Sequence, residues 1–67
     1  MVVNMEKFEA EHLLNHWIEH NDGHAKSFRN RADQVEEISA EAAQKIREAA
    51  EVMEICTQKL KDALSKL

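Results

Sequence analysis

His12, His16, His20 and His24 recur at every fourth residue, and they are all the histidines in the chain. On an α-helix, residues four apart have Cβ atoms about 5–6 Å apart, so two imidazoles can hold one metal ion at about 2.0–2.1 Å per nitrogen. Imidazole suits zinc, copper, nickel and iron. The ladder drifts ~40° around the helix at each step. His12 and His16 therefore start outside the apolar arc, while His20 and His24 reach its edge beside Leu13 and Trp17. This spacing nominates His20 and His24 as a chelating pair for a divalent transition metal, zinc and nickel among them, with His16 as a third ligand. The plain alternative is a row of surface histidines that are solvated or hydrogen-bond across an interface.

A hairpin closing near Glu37 and Ile38 sets residues whose numbers sum to about 75 opposite one another. His24 is then expected near Glu51, and His20 near Glu54, Ile55 and Cys56. Cys56 and Glu51 become additional ligand candidates. Cys56 is the lone cysteine and lies on an apolar arc, so a small buried hydrophobe is its simpler role. Glu51 reads equally as a solvated carboxylate or half of a surface ion pair.

Other chemistries fare worse. Glu9 and His12 make a Glu-x-x-His pair, the element of di-iron carboxylate bundles, but those ligands point into a core and this pair lies off the apolar arc. A phosphoryl-accepting histidine would be His20 or His24, yet the usual glycine and lysine spacing after it is missing. Gly-rich phosphate loops and nucleophile elbows are absent from the sequence. The expectation is a non-enzymatic protein. Asn21 lies on the apolar arc between Trp17 and Phe28, where a polar group needs a partner and can fix helix register and oligomeric state.

The elements that must position these residues are helices. There is no proline and Gly23 is the single glycine, so strands joined by tight turns have no punctuation. At ~100° per residue, Leu14, Trp17, Asn21, Ala25, Phe28, Ala32 and Val35 share one arc, flanked by Leu13 and Ile18. That phase runs unbroken through Asn21-Asp22-Gly23, the best turn signal in the chain. It predicts one helix from about Met5 to about Glu36, kinked near Gly23, in preference to three helices broken there. Ser39 is the predicted N-cap of a second helix over about 40–66, with Glu41 in its first turn. Ala42, Ala43, Ile46, Ala49, Ala50, Met53, Cys56, Thr57, Leu60, Leu64 and Leu67 form its arc, with Val52 and Ile55 widening the apolar surface.

The 67 residues suffice for one domain, 1–67, but a chain this small buries only about 60% of its unfolded surface. One cysteine cannot form an internal disulfide, which leaves oligomerisation or metal as the stabilising aid. The fold expected is all-α, an antiparallel helical hairpin that dimerises into a four-helix bundle through Trp17, Asn21, Phe28, Val52 and Ile55. The net charge of −4 comes from the first part, with 4 Lys+Arg against 8 Asp+Glu through Glu37 and 5 against 5 afterwards. An acidic chain without a basic stripe argues against nucleic acid and anionic membranes. No signal-peptide pattern or long apolar run is present, and the lone thiol suits a reducing compartment, so a cytoplasmic location is expected. The partner expected is another copy of the chain, with an unidentified protein as the alternative.

The run His16-Trp17-Ile18-Glu19-His20-Asn21, continuing to His24-Ala25 and Phe28, resembles a signature of small uncharacterised prokaryotic proteins. In them an HWIEHN..HA..F pattern precedes an Ala/Glu-rich helix. The resemblance implies a helical-hairpin domain associated with nickel or cobalt handling. His16, His20, Asn21 and His24 match the signature, and His12 lies outside it.

Overall fold

The computed structural model describes residues 4–67. Two α-helices make up the fold: α1 spans Lys7–Val35 and α2 spans Ala40–Ser65. They pack as an antiparallel hairpin whose Cα envelope measures 51 × 21 × 14 Å. No strand forms among the described residues.

α1 runs its 29 residues without a break. Gly23 keeps a negative φ inside it, and the three-helix alternative is not adopted. The predicted ends at Met5 and Glu36 shorten to Lys7 and Val35: Glu6 is extended ahead of the first turn, and the chain tightens into a turn after Val35. The N–H groups of Ile38 and Ser39 both return to the Val35 carbonyl at 2.9 Å, closing the last turn. Ser39 then starts α2: its extended backbone leaves the hydroxyl to accept from the Ala42 N–H at 3.1 Å.

Packing follows a seven-residue period. Ile18, Ala25 and Ala32 are buried on α1, and Ala43, Ala50 and Thr57 on α2. Leu14, Asn21, Phe28 and Val35 alternate with the first set, and Ile46, Met53 and Leu60 with the second, all half-buried. This is the alternation of a coiled-coil seam. Small side chains let the backbones approach closely, and four of the six buried residues are alanine. Thr57 satisfies its hydroxyl within its own helix by donating to the Met53 carbonyl at 2.9 Å. No large side chain is fully buried among the described residues.

The two flanks of the seam differ in chemistry. Arg29 grips Glu54 through two bonds, Nη2 to Oε1 at 2.6 Å and Nε to Oε2 at 3.2 Å. Arg47 reaches Asp33 at 2.9 Å and Glu36 at 3.2 Å. Arg29, Glu36, Arg47 and Glu54 each follow a half-buried seam residue by one position, which collects the cross-helix ion pairs on one flank. The opposite flank holds the residues just before the buried ones: Trp17, His24 and Arg31 on α1, and Ala42, Ala49 and Cys56 on α2. It is largely apolar and open. Trp17 is 43% exposed and Val52, one further turn outward, 66%.

Two predictions follow from this arrangement. A Cβ added at Gly23 meets nothing within 4 Å. Gly23→Ala should therefore raise unfolding free energy by about 1 kcal/mol, measured by urea titration. The Arg29 hydrogen bond holds the Glu54 carboxyl below its ordinary range. Its folded value is depressed, so the pair's contribution is present above the unfolded value and lost as pH falls through the folded one. Glu54→Gln should flatten the acid side of a melting-temperature profile, while a profile identical to wild type would show the pair to be inert.

Candidate functional site

The histidine ladder forms a column along the outer part of α1. The His16 and His20 rings stack with centroids 6.0 Å apart, His20 and His24 meet edge to face at 4.5 Å, and Phe28 continues the column at 6.1 Å from His24. All four histidines are exposed. The closest approach is between His20 and His24, whose Nε2 atoms stand 2.9 Å apart. That is a hydrogen-bond distance, so one ring carries the Nε2 proton and the other accepts it.

The same geometry is close to chelation. Two nitrogens at the usual metal distance lie roughly 2.9 Å apart for a right-angled N–M–N and roughly 3.3 Å apart for a tetrahedral one. The Nε2 separation thus matches a right-angled N–M–N, and a tetrahedral one after opening by about 0.4 Å, while both rings must turn so that their lone pairs converge on the ion. Binding requires the donor ring to carry its proton on Nδ1, so that both Nε2 lone pairs are free.

A third ligand is not assembled among the described residues of one chain. Among the described residues, no group of three or more His, Cys, Asp or Glu side chains comes within reach of one ion. His16 lines a shallow surface hollow with Glu19 and His20, one turn from the pair. The level expected along the hairpin does not decide which flank each side chain takes. Glu54 is not beside His20, since it is bonded to Arg29 on the charged flank. The Glu54 hydrogen bond raises the Arg29 guanidinium pKa, and Glu51 lies near enough to add to the effect. Cys56 faces Asn21, whose amide approaches its Sγ at 3.8 Å.

Cys56 is also exposed, contrary to the expectation of a buried small hydrophobe. The α2 arc is wider than one partner helix can cover. Burial falls on Ala43, Ala50 and Thr57, and leaves Ala42, Ala49 and Cys56, one residue earlier, at the open edge. Asn21 is half-buried on the seam, while Phe28 is half-buried and Trp17, Val52 and Ile55 are exposed. Ile55 lies about 60° farther round than Val52, on the outer edge of α2. Glu9 and His12 line a hollow with Met5, Phe8 and Leu13 near the start of α1, away from the seam.

The sequence pattern alone missed the flank asymmetry. The signal was available in the seven-residue spacing of Ile18, Ala25 and Ala32 against Ala43, Ala50 and Thr57, which fixes the residues on either side.

The family described as domain of unknown function DUF8180 matches residues 10–67. This chain belongs to that family. A protein of Archaeoglobus fulgidus described as uncharacterised is 40% identical over 53 residues, covering 79% of this chain and 86% of the relative. No solved structure matches the chain. The DUF8180 match takes in His12, His16, His20 and His24 together with both seam strips. It establishes a small prokaryotic family. Among the described residues of this member, no helix is long and apolar enough to cross a membrane.

Asn21 yields a prediction of its own. A bond to sulfur at 3.8 Å is weak compensation for an amide on the seam. Asn21→Leu should raise unfolding free energy by roughly 1 kcal/mol and broaden the distribution of oligomers seen by sedimentation. A less stable variant with an unchanged oligomer would instead make Asn21 an essential hydrogen-bonding residue.

Proposed function

We propose that this DUF8180 protein is a small, self-associating, non-enzymatic helical hairpin that binds a divalent transition metal through His20 and His24. The observation carrying this reading is the 2.9 Å separation of the two Nε2 atoms on an exposed helix face. A fixed helix holds both rings at chelating distance before any ion arrives, so little ordering entropy opposes binding. His16 is one turn away as a further ligand. The likeness of His16, Trp17, His20, Asn21, His24 and Phe28 to a signature associated with nickel and cobalt makes those ions the first to try beside zinc. A cytoplasmic setting belongs to the same proposal.

A second reading keeps the hairpin and drops the metal. In it, His20 and His24 simply hydrogen-bond to one another, and the exposed Trp17, Val52 and Ile55 belong to an interaction module. The lack of a three-ligand group within the described residues of one chain favours it.

Calorimetric titration with Ni(II) and Zn(II) separates the two. His20→Ala and His24→Ala should each weaken binding at least about tenfold, which is about 1.4 kcal/mol, while His12→Ala leaves it nearly unchanged. Equal weak heats from wild type and all three variants would give first place to the interaction module.

A further inference from the structure

The open flank calls for an occupant, and three features define it. The hairpin fully buries no large side chain among its described residues, so its apolar surface exceeds what the two helices cover. The cross-helix ion pairs gather on the other flank, leaving Trp17, Ala49, Val52 and Cys56 as an apolar patch at the middle of this side, with Arg31 beyond it on α1 and Lys45 and Lys59 one heptad to either side of Val52 on α2. The 51 × 21 Å face offers roughly 1,000 Å², against the about 800 Å² per partner of a standard interface.

The level of the histidines adds the decisive element. His20 and His24 bracket the middle of α1, which spans Lys7–Val35, and Asn21 is level with Cys56 on α2. Both histidines lie toward the open flank, where His24 meets Phe28 in a tilted contact and shares its stripe with Trp17, two turns earlier. A two-fold axis that lies in the interface and crosses the helices at the middle of the hairpin stacks α1 on its own copy and returns residues near the middle to their own level in the partner. Residues near either end are sent to the far end instead. Of the four histidines, the central pair is thus the one that a dimer with this axis brings opposite its own copy.

We infer that a second copy of this chain docks on the Trp17–Val52 face, and that the two His20–His24 pairs then close one shared cation site with four imidazoles. This rests on the proposed metal reading and supplies what a single chain lacks. Each copy provides two ligands, and four nitrogens complete the four-coordinate shell that a closed zinc site adopts. The second copy also covers Trp17, the single tryptophan, which becomes a reporter for docking.

Native mass spectrometry of the full chain loaded with Zn(II), with acrylamide quenching of Trp17 in parallel, is the test. The expected result is one ion per two chains and a sheltered tryptophan. Val52→Glu changes a side chain the hairpin leaves exposed, and should give a monomer binding zinc at least about tenfold more weakly. Should that variant fail to fold, a mixing experiment replaces it. Wild type exchanged with an equal amount of the His20→Ala, His24→Ala double variant forms dimers statistically. A shared site then retains about a quarter of the tight binding, and independent pairs about half. One ion per chain, or retention of half, overturns the shared site while leaving the metal reading intact. A dimer that binds no ion overturns both.

Discussion

Two helices can run this close only where the side chains between them are small. Ala25, Ala32, Ala43 and Ala50 meet that condition at seven-residue intervals, and almost everything else in the hairpin follows from it. Alanine loses no side-chain entropy on burial and favours helix, so the seam costs little to order. The same residues bury little apolar area, and large-side-chain burial is where most hydrophobic stabilisation arises. The seam therefore fixes the hairpin's geometry without supplying a substantial core. Leu14, Phe28, Ile46, Met53 and Leu60 contribute beside it, each only partly covered.

The seam also sorts chemistry to its two sides. Arginine and carboxylate on one flank hold the register through Arg29–Glu54 and Arg47 with Asp33 and Glu36. Such solvent-exposed pairs contribute modestly to stability, but a two-pronged arginine contact is directional and disfavours sliding of one helix past the other. The opposite flank combines exposed apolar side chains with the two imidazoles that lie closest together. The exposed apolar side chains and the closest pair of histidines thus share one side of the molecule.

Much of this was legible in the sequence. Ser39 followed by Glu41 marked the start of α2, and the unbroken apolar phase across Gly23 outweighed a strong turn signal, since glycine costs a helix only about 1 kcal/mol. The spacing of the histidines allowed the His20–His24 contact, but the same spacing leaves His16 and His20 with centroids 6.0 Å apart, so side-chain rotation selects the pair. What depended on the second helix was less accessible. The α2 arc reaches from Val52 around to Ala43, and its width does not say which edge meets α1. Cys56 and Thr57 are adjacent on it, yet only Thr57 is buried. Counting back from the turn likewise set Glu54 against His20, whereas the arginine at position 29 claims that carboxylate.

If the narrow seam leaves the hairpin dependent on a second copy, its folding must depend on protein concentration. The direct measurement is thermal unfolding of metal-free protein, followed by circular dichroism across a hundredfold range of concentration. Association-coupled folding predicts a melting temperature that climbs with concentration, because mass action favours the assembled state. A melting temperature independent of concentration, together with a sedimenting mass of 7.7 kDa, would contradict the account by showing that the two helices alone suffice.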